Sequence, residues 1–206
     1  MVVEILADYF VLLIQTHGYG AILFLMALES MIAPVPSELV MPFAGYVAAQ
    51  GNLDFVLVNT FALLGSILGS MISYWAGKFL GRDLVIKYGK FLGLRESHLH
   101  WTEKWFAAHG SITILVGRFI PVVRHLISIP AGISNMPKRE FLVMTIIGAV
   151  IWNGFLAYLG FILKDQYTLI AEYSSTLDIV VVLVLIILFI YFLHRKKDKI
   201  RGIFHV

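Results

Sequence analysis

The sequence contains no cysteine and few charged residues. Without thiol groups, the chain can form neither a disulfide bond nor a thiolate metal site. Only 14% of its 206 residues are charged, whereas a soluble domain carries about 25%. Hydrophobic residues make up 59% of the chain, and the mean hydropathy is +0.85. This composition excludes an ordinary soluble domain and predicts a single integral membrane domain of the all-α class.

Prolines interrupt an apolar stretch near the N-terminus. Pro34 and Pro36 separate two short apolar arms, residues 21–33 and 39–49. A residue that precedes proline is pushed out of the helical region, and neither arm reaches the roughly 20 residues that a spanning helix needs. We therefore predict a re-entrant hairpin that returns to its own side of the membrane. One kinked helix over residues 21–49 is the alternative, since proline kinks are common in membrane helices.

A second apolar stretch, residues 117–132, contains two arginines and two prolines. Pro121 and Pro130 prevent a continuous helix, so a second re-entrant hairpin is predicted there. Arg118 and Arg124 lie in surroundings as apolar as a bilayer core, where an arginine costs about 2.5–3.5 kcal/mol. Such a cost indicates a function, and the planar guanidinium group suits a carboxylate or a phosphate.

The second half of the chain repeats the parts of the first half in the same order. The corresponding residues are His17 and His109, Gly45 and Gly132, Gly65 and Gly148, and Gly77 and Gly160. The last two pairs share one offset of 83 residues. Gly45 and Gly132 are assigned, with the prolines, to the turns of the two hairpins. The predicted organisation is an amphipathic N-terminal helix (1–17), repeat 1 (18–82), an interfacial basic and aromatic segment (83–107), repeat 2 (108–164), a C-terminal spanning helix (177–194) and a basic cytoplasmic tail (195–206).

The basic residues fall almost entirely on one predicted face of the membrane. In this scheme residues 55–77, 141–163 and 177–193 cross the membrane, and both hairpins return to their own side. The three exceptions among the 16 lysines and arginines are then Arg118, Arg124 and Lys164. Basic residues mark the cytoplasmic side, so the C-terminus is predicted to be cytoplasmic. The two hairpins then have opposite orientations, as in the inverted repeats of secondary transporters.

Four charged residues lie within the predicted hairpins. Glu29 and Glu38 belong to the first hairpin, and Arg118 and Arg124 belong to the second. If the hairpin tips meet, the arginines can bind the phosphate of a lipid, and the glutamates can exchange protons or release the lipid. His125 could also donate a hydrogen bond to the phosphate, or it could instead cap the backbone next to the turn. Buried ion pairs that only hold the hairpins together are the structural alternative.

The remaining polar residues give weaker signals. The residues expected to cap helices are Ser30, Ser37, Asn52, Asp54 and Ser128. Binding of ligand oxygens is the alternative for the three serines. Gly65 and Gly69 form a small face for close helix packing. His98 and His100 stand on different faces of a helix, so no metal site is predicted. We find no nucleophile with a positioned acid or base, and we expect neither catalysis nor a cofactor, a metal or a nucleic-acid partner.

This combination of residues resembles the DedA family, whose eukaryotic relatives are called SNARE-associated or VTT-domain proteins. The matching features are Glu29, the turn Pro34-x-Pro36-x-Glu38, Ala44-Gly45, the stretch Gly117-Arg118-Phe119-Ile120-Pro121-x-x-Arg124, and Ala131-Gly132. The resemblance covers roughly residues 18–164. It implies two re-entrant hairpins in an inverted repeat, a bacterial inner-membrane protein, and translocation of undecaprenyl phosphate or a phospholipid, which depends on the proton gradient in some members. Many relatives have threonine where this chain has His125, and this departure leaves the headgroup preference open.

A flippase for a lipid phosphate is the leading hypothesis from the sequence. The substrate would be undecaprenyl phosphate or a phospholipid such as phosphatidylethanolamine, and protons would be the coupled ion. A proton-coupled antiporter for small ions and a membrane scaffold without transport are the alternatives. A flippase needs a cavity that opens sideways to lipid, an antiporter needs a closed aqueous path, and a scaffold needs neither. Assembly into a homo-oligomer is left open.

Overall fold

The computed structural model describes residues 2–31, 37–81 and 96–163, and these ranges contain helices and no β-strand. The helices are α1 (Val2–His17), α2 (Tyr19–Glu29), α3 (Ser37–Ala49), α4 (Phe55–Ala76), α5 (Glu96–Gly117), α6 (Pro121–Leu126), α7 (Ser128–Ile133) and α8 (Lys138–Leu163). A π-helical turn, Gly77–Gly81, continues α4. The predicted all-α class is confirmed. The predicted C-terminal helix (177–194) and tail (195–206) lie outside the described residues, as does most of the interfacial segment.

Two helices have the length and hydropathy of membrane-spanning segments. They are α4 with its π-helical extension (Phe55–Gly81, 27 residues) and α8 (Lys138–Leu163, 26 residues). A spanning helix needs about 20 apolar residues, so each of the two is long enough to cross the hydrocarbon core. Their positions agree with the predicted crossings at 55–77 and 141–163.

Asp54 defines the start of α4. Its carboxylate accepts a hydrogen bond of 2.9 Å from the backbone N–H of Leu57, which confirms the expected helix cap. Its own N–H donates to the hydroxyl oxygen of Tyr19 at 2.8 Å. Since Tyr19 is the first residue of α2, this bond ties the beginnings of α2 and α4 together. The break between α1 and α2 falls at Gly18, whose φ of 58° lies in the left-handed region that favours glycine.

Small residues let α2 lie directly against α4. A Cβ atom at Gly65 would stand 2.3 Å from the backbone oxygen of Leu23, and one at Gly69 would stand 2.1 Å from that of Ala27. Atoms cannot approach so closely, so glycine is required at both positions. The close packing predicted for this face of α4 is confirmed.

The two spanning helices run antiparallel. At one end, the rings of Phe55 and Phe161 have centroids 5.2 Å apart, and at the other end those of Tyr74 and Phe141 are 4.9 Å apart. The first residue of α4 therefore lies near the end of α8. The hydroxyl of Tyr74 also donates a hydrogen bond of 2.6 Å to the backbone oxygen of Met136, which fixes the second end.

The first half of the chain packs its arm α3 onto the spanning helix of the second half. A Cβ atom at Gly45 would stand 2.0 Å from the backbone oxygen of Ala157. In the same interface, one at Gly160 would stand 1.9 Å from the backbone oxygen of Pro42. The backbones of α3 and α8 therefore touch, and they can do so only because both positions are glycine.

The second half makes the corresponding contact, because α7 packs onto α4 and its extension. A Cβ atom at Gly132 would stand 2.0 Å from the backbone oxygen of Tyr74, and one at Gly77 would stand 2.2 Å from that of Ile129. Gly45 and Gly132, which the sequence assigned to hairpin turns, thus lie inside α3 and α7. They serve close packing there.

The prolines divide the second apolar stretch, residues 117–132, into short helices. Pro121 is the first residue of α6, and Pro130 lies in the first turn of α7. A proline at the start of a helix breaks no intrahelical hydrogen bond, because the N–H groups of the first turn have no partner within the helix. Pro34 and Pro36 lie outside the described residues. The re-entrant path of both hairpins remains a prediction.

Candidate functional site

The four charged residues of the predicted site are all buried. Glu29 ends α2, Glu38 lies in the first turn of α3, Arg118 follows α5, and Arg124 lies in α6. None of the four is more than 6% exposed. A charge at this depth is unfavourable unless it is paired and hydrogen-bonded, so the partners of each group decide what the cluster can do.

Arg124 contacts both acids of the first half through one nitrogen. Its Nη2 lies 3.0 Å from Glu29 Oε1 and 2.8 Å from Glu38 Oε1. The same nitrogen donates a hydrogen bond to the hydroxyl oxygen of Ser37. The contact with Glu38 is an ion pair without hydrogen-bond alignment, since Glu38 Oε1 accepts no hydrogen bond. One guanidinium group thus connects α6 to the facing ends of α2 and α3.

Among the residues that the structure describes, the other two nitrogens of Arg124 find no hydrogen-bond partner. Nε and Nη1 are buried and unpaired, whereas the large majority of buried polar groups have at least one partner. The Cζ atom of Arg124 lies 5.3 Å from the ring centroid of Trp152, a distance typical of a cation–π contact. Since unpaired buried donors cost about 1–3 kcal/mol or more, an anionic oxygen that reached Nε or Nη1 would be bound favourably.

Arg118 has a different set of partners. Its Nη2 donates hydrogen bonds to Ser70 Oγ in α4 at 2.5 Å and to Thr145 Oγ1 in α8 at 3.2 Å. No carboxylate of the described residues lies within ion-pair distance of it, and its Nε is unpaired. Gly148 gives the side chain room, because a Cβ atom there would stand 2.9 Å from Arg118 Cβ. Arg118 therefore bridges the two spanning helices, and no direct ion pair neutralises it.

His125 lies against the end of α2. Its Nδ1 is 2.7 Å from the backbone oxygen of Glu29 and 3.7 Å from Glu29 Oε1. Because a carbonyl oxygen only accepts, Nδ1 carries the hydrogen in the shorter contact. The histidine predicted to reach a phosphate thus lies beside the charged cluster and is hydrogen-bonded to the backbone there.

The serines near the cluster bind charged groups rather than helix termini. Ser30 Oγ donates to Glu29 Oε2 at 3.0 Å, and Ser37 Oγ accepts from Arg124. The hydroxyl of Ser128 is buried and has no partner. The expectation that these hydroxyls cap short helices therefore does not describe their contacts.

Sequence reasoning missed three polar residues of the spanning helices. Ser70 and Thr145 hold Arg118, and Asn153 Nδ2 donates to Ser66 Oγ at 3.2 Å. Ser66 and Ser70 stand four residues apart, a spacing that places both on one face of α4. A polar pair at that spacing inside an apolar helix is the signal that could have identified this face.

A small cavity lies between the two arginines. Its volume is about 10 Å³, space for about one water molecule. Its walls include Glu29, Ser66, Arg118, Arg124, Trp152 and Asn153. A phosphate group is larger than a water molecule, so the cluster must open to bind one. Within the residues that the structure describes, no group of three or more His, Asp or Glu side chains could hold a metal ion.

Known proteins resemble this chain over most of its length. The VTT domain family model matches residues 35–162. Undecaprenyl phosphate transporter A of Bacillus subtilis (strain 168) is 34% identical over 184 residues, which are 89% of this chain and 91% of that protein. The protein of the same name from Staphylococcus aureus (strain NCTC 8325 / PS 47) is 33% identical over 190 residues, 90% of this chain and 94% of that protein.

A further relative carries a different name. The alkaline phosphatase-like protein of Lactococcus lactis subsp. lactis (strain IL1403) is 38% identical over 178 residues, 84% of this chain and 83% of that protein. No solved structure matches the chain. The range matched by the family model contains Glu38 and both buried arginines.

Proposed function

Because this chain belongs to the VTT-domain (DedA) family, we propose that it moves a lipid phosphate across a bacterial plasma membrane. Two of its relatives are named as transporters of undecaprenyl phosphate, which supports membrane lipid transport as the general role. The substrate proposed for this chain is undecaprenyl phosphate. A phospholipid such as phosphatidylethanolamine is the second choice.

The unpaired nitrogens of Arg124 carry this proposal. A phosphate binds arginine best through two parallel N–H···O bonds. Each two-donor edge of the guanidinium group pairs Nη2 with either Nε or Nη1, and both of these are free. Nη2 itself is held by Glu29 and Glu38. A phosphate that uses a full edge therefore has to share Nη2 with the acids or displace one of them.

This competition provides a physical link between lipid phosphate and protons. The charges of Glu29, Glu38, Arg118 and Arg124 sum to zero when both acids are ionised. A bound phosphate adds negative charge in a buried site, where excess charge is unfavourable. Proton uptake by one of the acids offsets that charge and removes one of the two ion-pair contacts of Nη2. Phosphate binding and proton uptake would therefore favour each other, and we propose proton coupling on this basis.

The packing of the helices supports an inverted repeat around this site. The arm α3 lies on α8 through Gly45, and the arm α7 lies on α4 through Gly132, so each half contacts the spanning helix of the other. With α4 and α8 antiparallel, these contacts have the relation expected for two halves of opposite orientation. In transporters of this kind, one repeat moves against the other around a central site. We propose the same arrangement here, with re-entrant hairpins and a cytoplasmic C-terminus.

Reconstitution of the purified full-length chain in liposomes tests the proposal. Fluorescent analogues of undecaprenyl phosphate, phosphatidylethanolamine and phosphatidylglycerol are supplied to one leaflet, and their arrival in the other leaflet is measured with and without a pH gradient. We expect undecaprenyl phosphate to move faster than in protein-free liposomes, and faster still when protons enter with it. A parallel assay for inorganic phosphate detects hydrolysis. Transport of none of the three lipids, or release of phosphate from them, would overturn the proposed function.

A further inference from the structure

A groove opens between α4 and α8 beside the arginine cavity. Its volume is about 310 Å³, and its polar lining consists of Asn59 and Thr60 from α4 and Asn153 from α8. The rest of the lining is apolar apart from the backbone of Gly154. Val56, at its edge, is 69% exposed. In a spanning protein such a surface faces lipid, so the groove opens sideways toward the membrane.

Asn153 separates the groove from the arginine cavity. It is the one residue that lines both spaces, and within the described part of the chain its side chain makes one hydrogen bond, from Nδ2 to Ser66 Oγ at 3.2 Å. Arg124 lies in the wall of the cavity on the inner side. Because no other residue belongs to both linings, rotation of this amide side chain is the movement that we expect to open a passage from the groove toward Arg124.

Asn59 gives the groove a polar inner wall. Its Nδ2 donates to the backbone oxygen of Phe55 at 2.9 Å, whereas its Oδ1 is buried without a partner. A Cβ atom at Gly154 would stand 3.8 Å from this oxygen, so Asn59 Oδ1 faces Gly154 across the groove. An unpaired amide oxygen in apolar surroundings is unfavourable. A shift of the side chains around it would let the hydroxyl hydrogen of a singly protonated phosphate, or of water, reach this buried oxygen.

The corresponding place at the other end of the two helices lacks the polar side chains. The offset of 83 residues relates Asn59 and Thr60 to Leu142 and Val143, which are apolar. Leu142 packs against the core cluster that contains Tyr74. The polar groove therefore belongs to the end of the helices where α4 begins, which the charge distribution predicts to face the outside.

We propose that this groove admits the head of a lipid phosphate to Arg124 while the hydrocarbon chain stays outside, between α4 and α8. The inference rests on the proposed function and adds the path by which the substrate reaches the site. The occupant is a lipid and not free phosphate, because the groove opens sideways and most of its lining is apolar. The positive charge of Arg124 attracts the phosphate head of the lipid, and the head reaches Arg124 by passing Asn153.

Labelling of single cysteines tests the path without requiring transport. Thr60→Cys places a thiol in the groove, and Val143→Cys places one at the corresponding exposed position of α8, outside the groove. The full-length variants are labelled with a small maleimide in neutral detergent, with dodecyl phosphate, dodecanol or inorganic phosphate added. Dodecyl phosphate at ten times its Kd should slow the labelling of position 60 about tenfold, and it should leave position 143 unchanged. Dodecanol and inorganic phosphate should protect neither position.

Filling the groove provides a second, independent test. A Cβ atom at Gly154 meets nothing closer than Asn59 Oδ1, so Gly154→Leu can be accommodated by occupying the groove. Gly20→Leu is the matched control, because a Cβ atom at Gly20 has no neighbour within 4 Å and the residue also lies in a helix. Gly154→Leu should lower lipid phosphate transport about tenfold or more, while Gly20→Leu should remain near the wild-type rate.

The outcomes separate the groove from the proposed function. If the wild-type chain transports lipid phosphate but position 60 is not protected and Gly154→Leu is active, the groove proposal fails and the function stands. If dodecyl phosphate protects position 60 and the wild-type chain transports no lipid phosphate, the proposed transport function is wrong. The groove would still be a binding site for the phosphate head of a lipid. Equal protection of positions 60 and 143 overturns the groove proposal. So does a position 60 that resists labelling in every condition, because another part of the chain would then cover the groove.

Discussion

Nη2 of Arg124 lies 3.0 Å from Oε1 of Glu29, although the two residues belong to opposite halves of the chain. The same nitrogen also contacts Glu38, so one donor group serves two acids. Neither acid therefore forms a separate ion pair with the guanidinium group. A shared contact of this kind can change partners when a proton or an anion arrives, whereas a separate two-donor ion pair would have to be broken outright.

The hydrogen bonds of Arg118 predict a difference between two buried serines. Ser70→Ala removes the closer of the two acceptors of Arg118 Nη2 and should destabilise the protein by about 1–3 kcal/mol, because only the longer bond to Thr145 remains for this buried charged donor. Ser128→Ala is the control, since both serines are fully buried and the hydroxyl of Ser128 has no partner. It should leave stability unchanged or raise it. Thermal unfolding in detergent measures both, and equal losses would contradict the role assigned to Ser70.

Much of the framework could be predicted from local patterns. Asp54 was recognisable as a helix cap because it precedes an apolar run. The packing face of α4 was recognisable because small residues at the spacing of Gly65 and Gly69 permit close contact between helices. The expectation that the acids of the first hairpin meet an arginine of the second followed from the high cost of a charge in hydrocarbon. Each of these inferences depends on one short segment or on one energetic rule.

The pairing inside the site could not be predicted in the same way. The sequence contains two acids and two arginines, but it does not indicate that Arg124 takes both acids while Arg118 binds Ser70 and Thr145. Which arginine pairs with the acids depends on the direction of each side chain and on the distance between the helices. Close contacts such as that between Gly148 and Arg118 determine this distance. Gly45 was misassigned to a turn for a related reason, since glycine marks both turns and close contacts.

The orientation of the chain can be tested with two exposed positions. Asn52 precedes α4 and Arg139 lies in the first turn of α8, so they belong to the beginnings of two antiparallel helices. We expect a membrane-impermeant thiol reagent added outside intact cells to label Asn52→Cys and not Arg139→Cys. In this cysteine-free chain, each variant reports one position. Labelling of position 139 from outside would contradict the predicted topology.

Proton coupling predicts different behaviour for the two buried acids. Each acid loses an ion-pair contact with Arg124 when it takes up a proton, but Glu29 also accepts a hydrogen bond from Ser30, whereas Glu38 Oε1 accepts none. We therefore expect Glu38→Gln to remove the effect of a pH gradient on transport and to retain lipid binding. Glu29→Gln should keep the pH effect at a lower rate.

The measurement is the ratio of transport rates with and without a pH gradient in liposomes of equal protein content. Glu140→Gln is the control, because Glu140 is exposed in the first turn of α8. An undiminished pH effect in both single variants and in the double variant would reject proton coupling through these acids.

Replacement of Arg124 by lysine tests whether this residue binds phosphate or only balances the charge of the acids. If it only neutralises the acids, lysine should replace it with little loss, because a point charge is sufficient. If it binds phosphate through two donors, Arg124→Lys keeps the charge and loses the planar geometry. Loss of one hydrogen bond to a charged group costs about 1.5–3 kcal/mol, so transport should fall at least about tenfold. Arg139→Lys, at an exposed position of α8, should have no effect.

The comparison requires variants that fold equally well. Arg124→Ala would remove the guanidinium group that pairs with two buried acids and destabilise the protein by about 3–5 kcal/mol, so its inactivity would not separate the two roles. Transport by Arg124→Lys is therefore measured at matched abundance, after gel filtration shows a single species. Because a lysine ammonium can still contact Glu29 and Glu38, lost transport in a well-folded variant indicates loss of phosphate binding. Wild-type transport by Arg124→Lys would mean that the cluster is a structural ion pair.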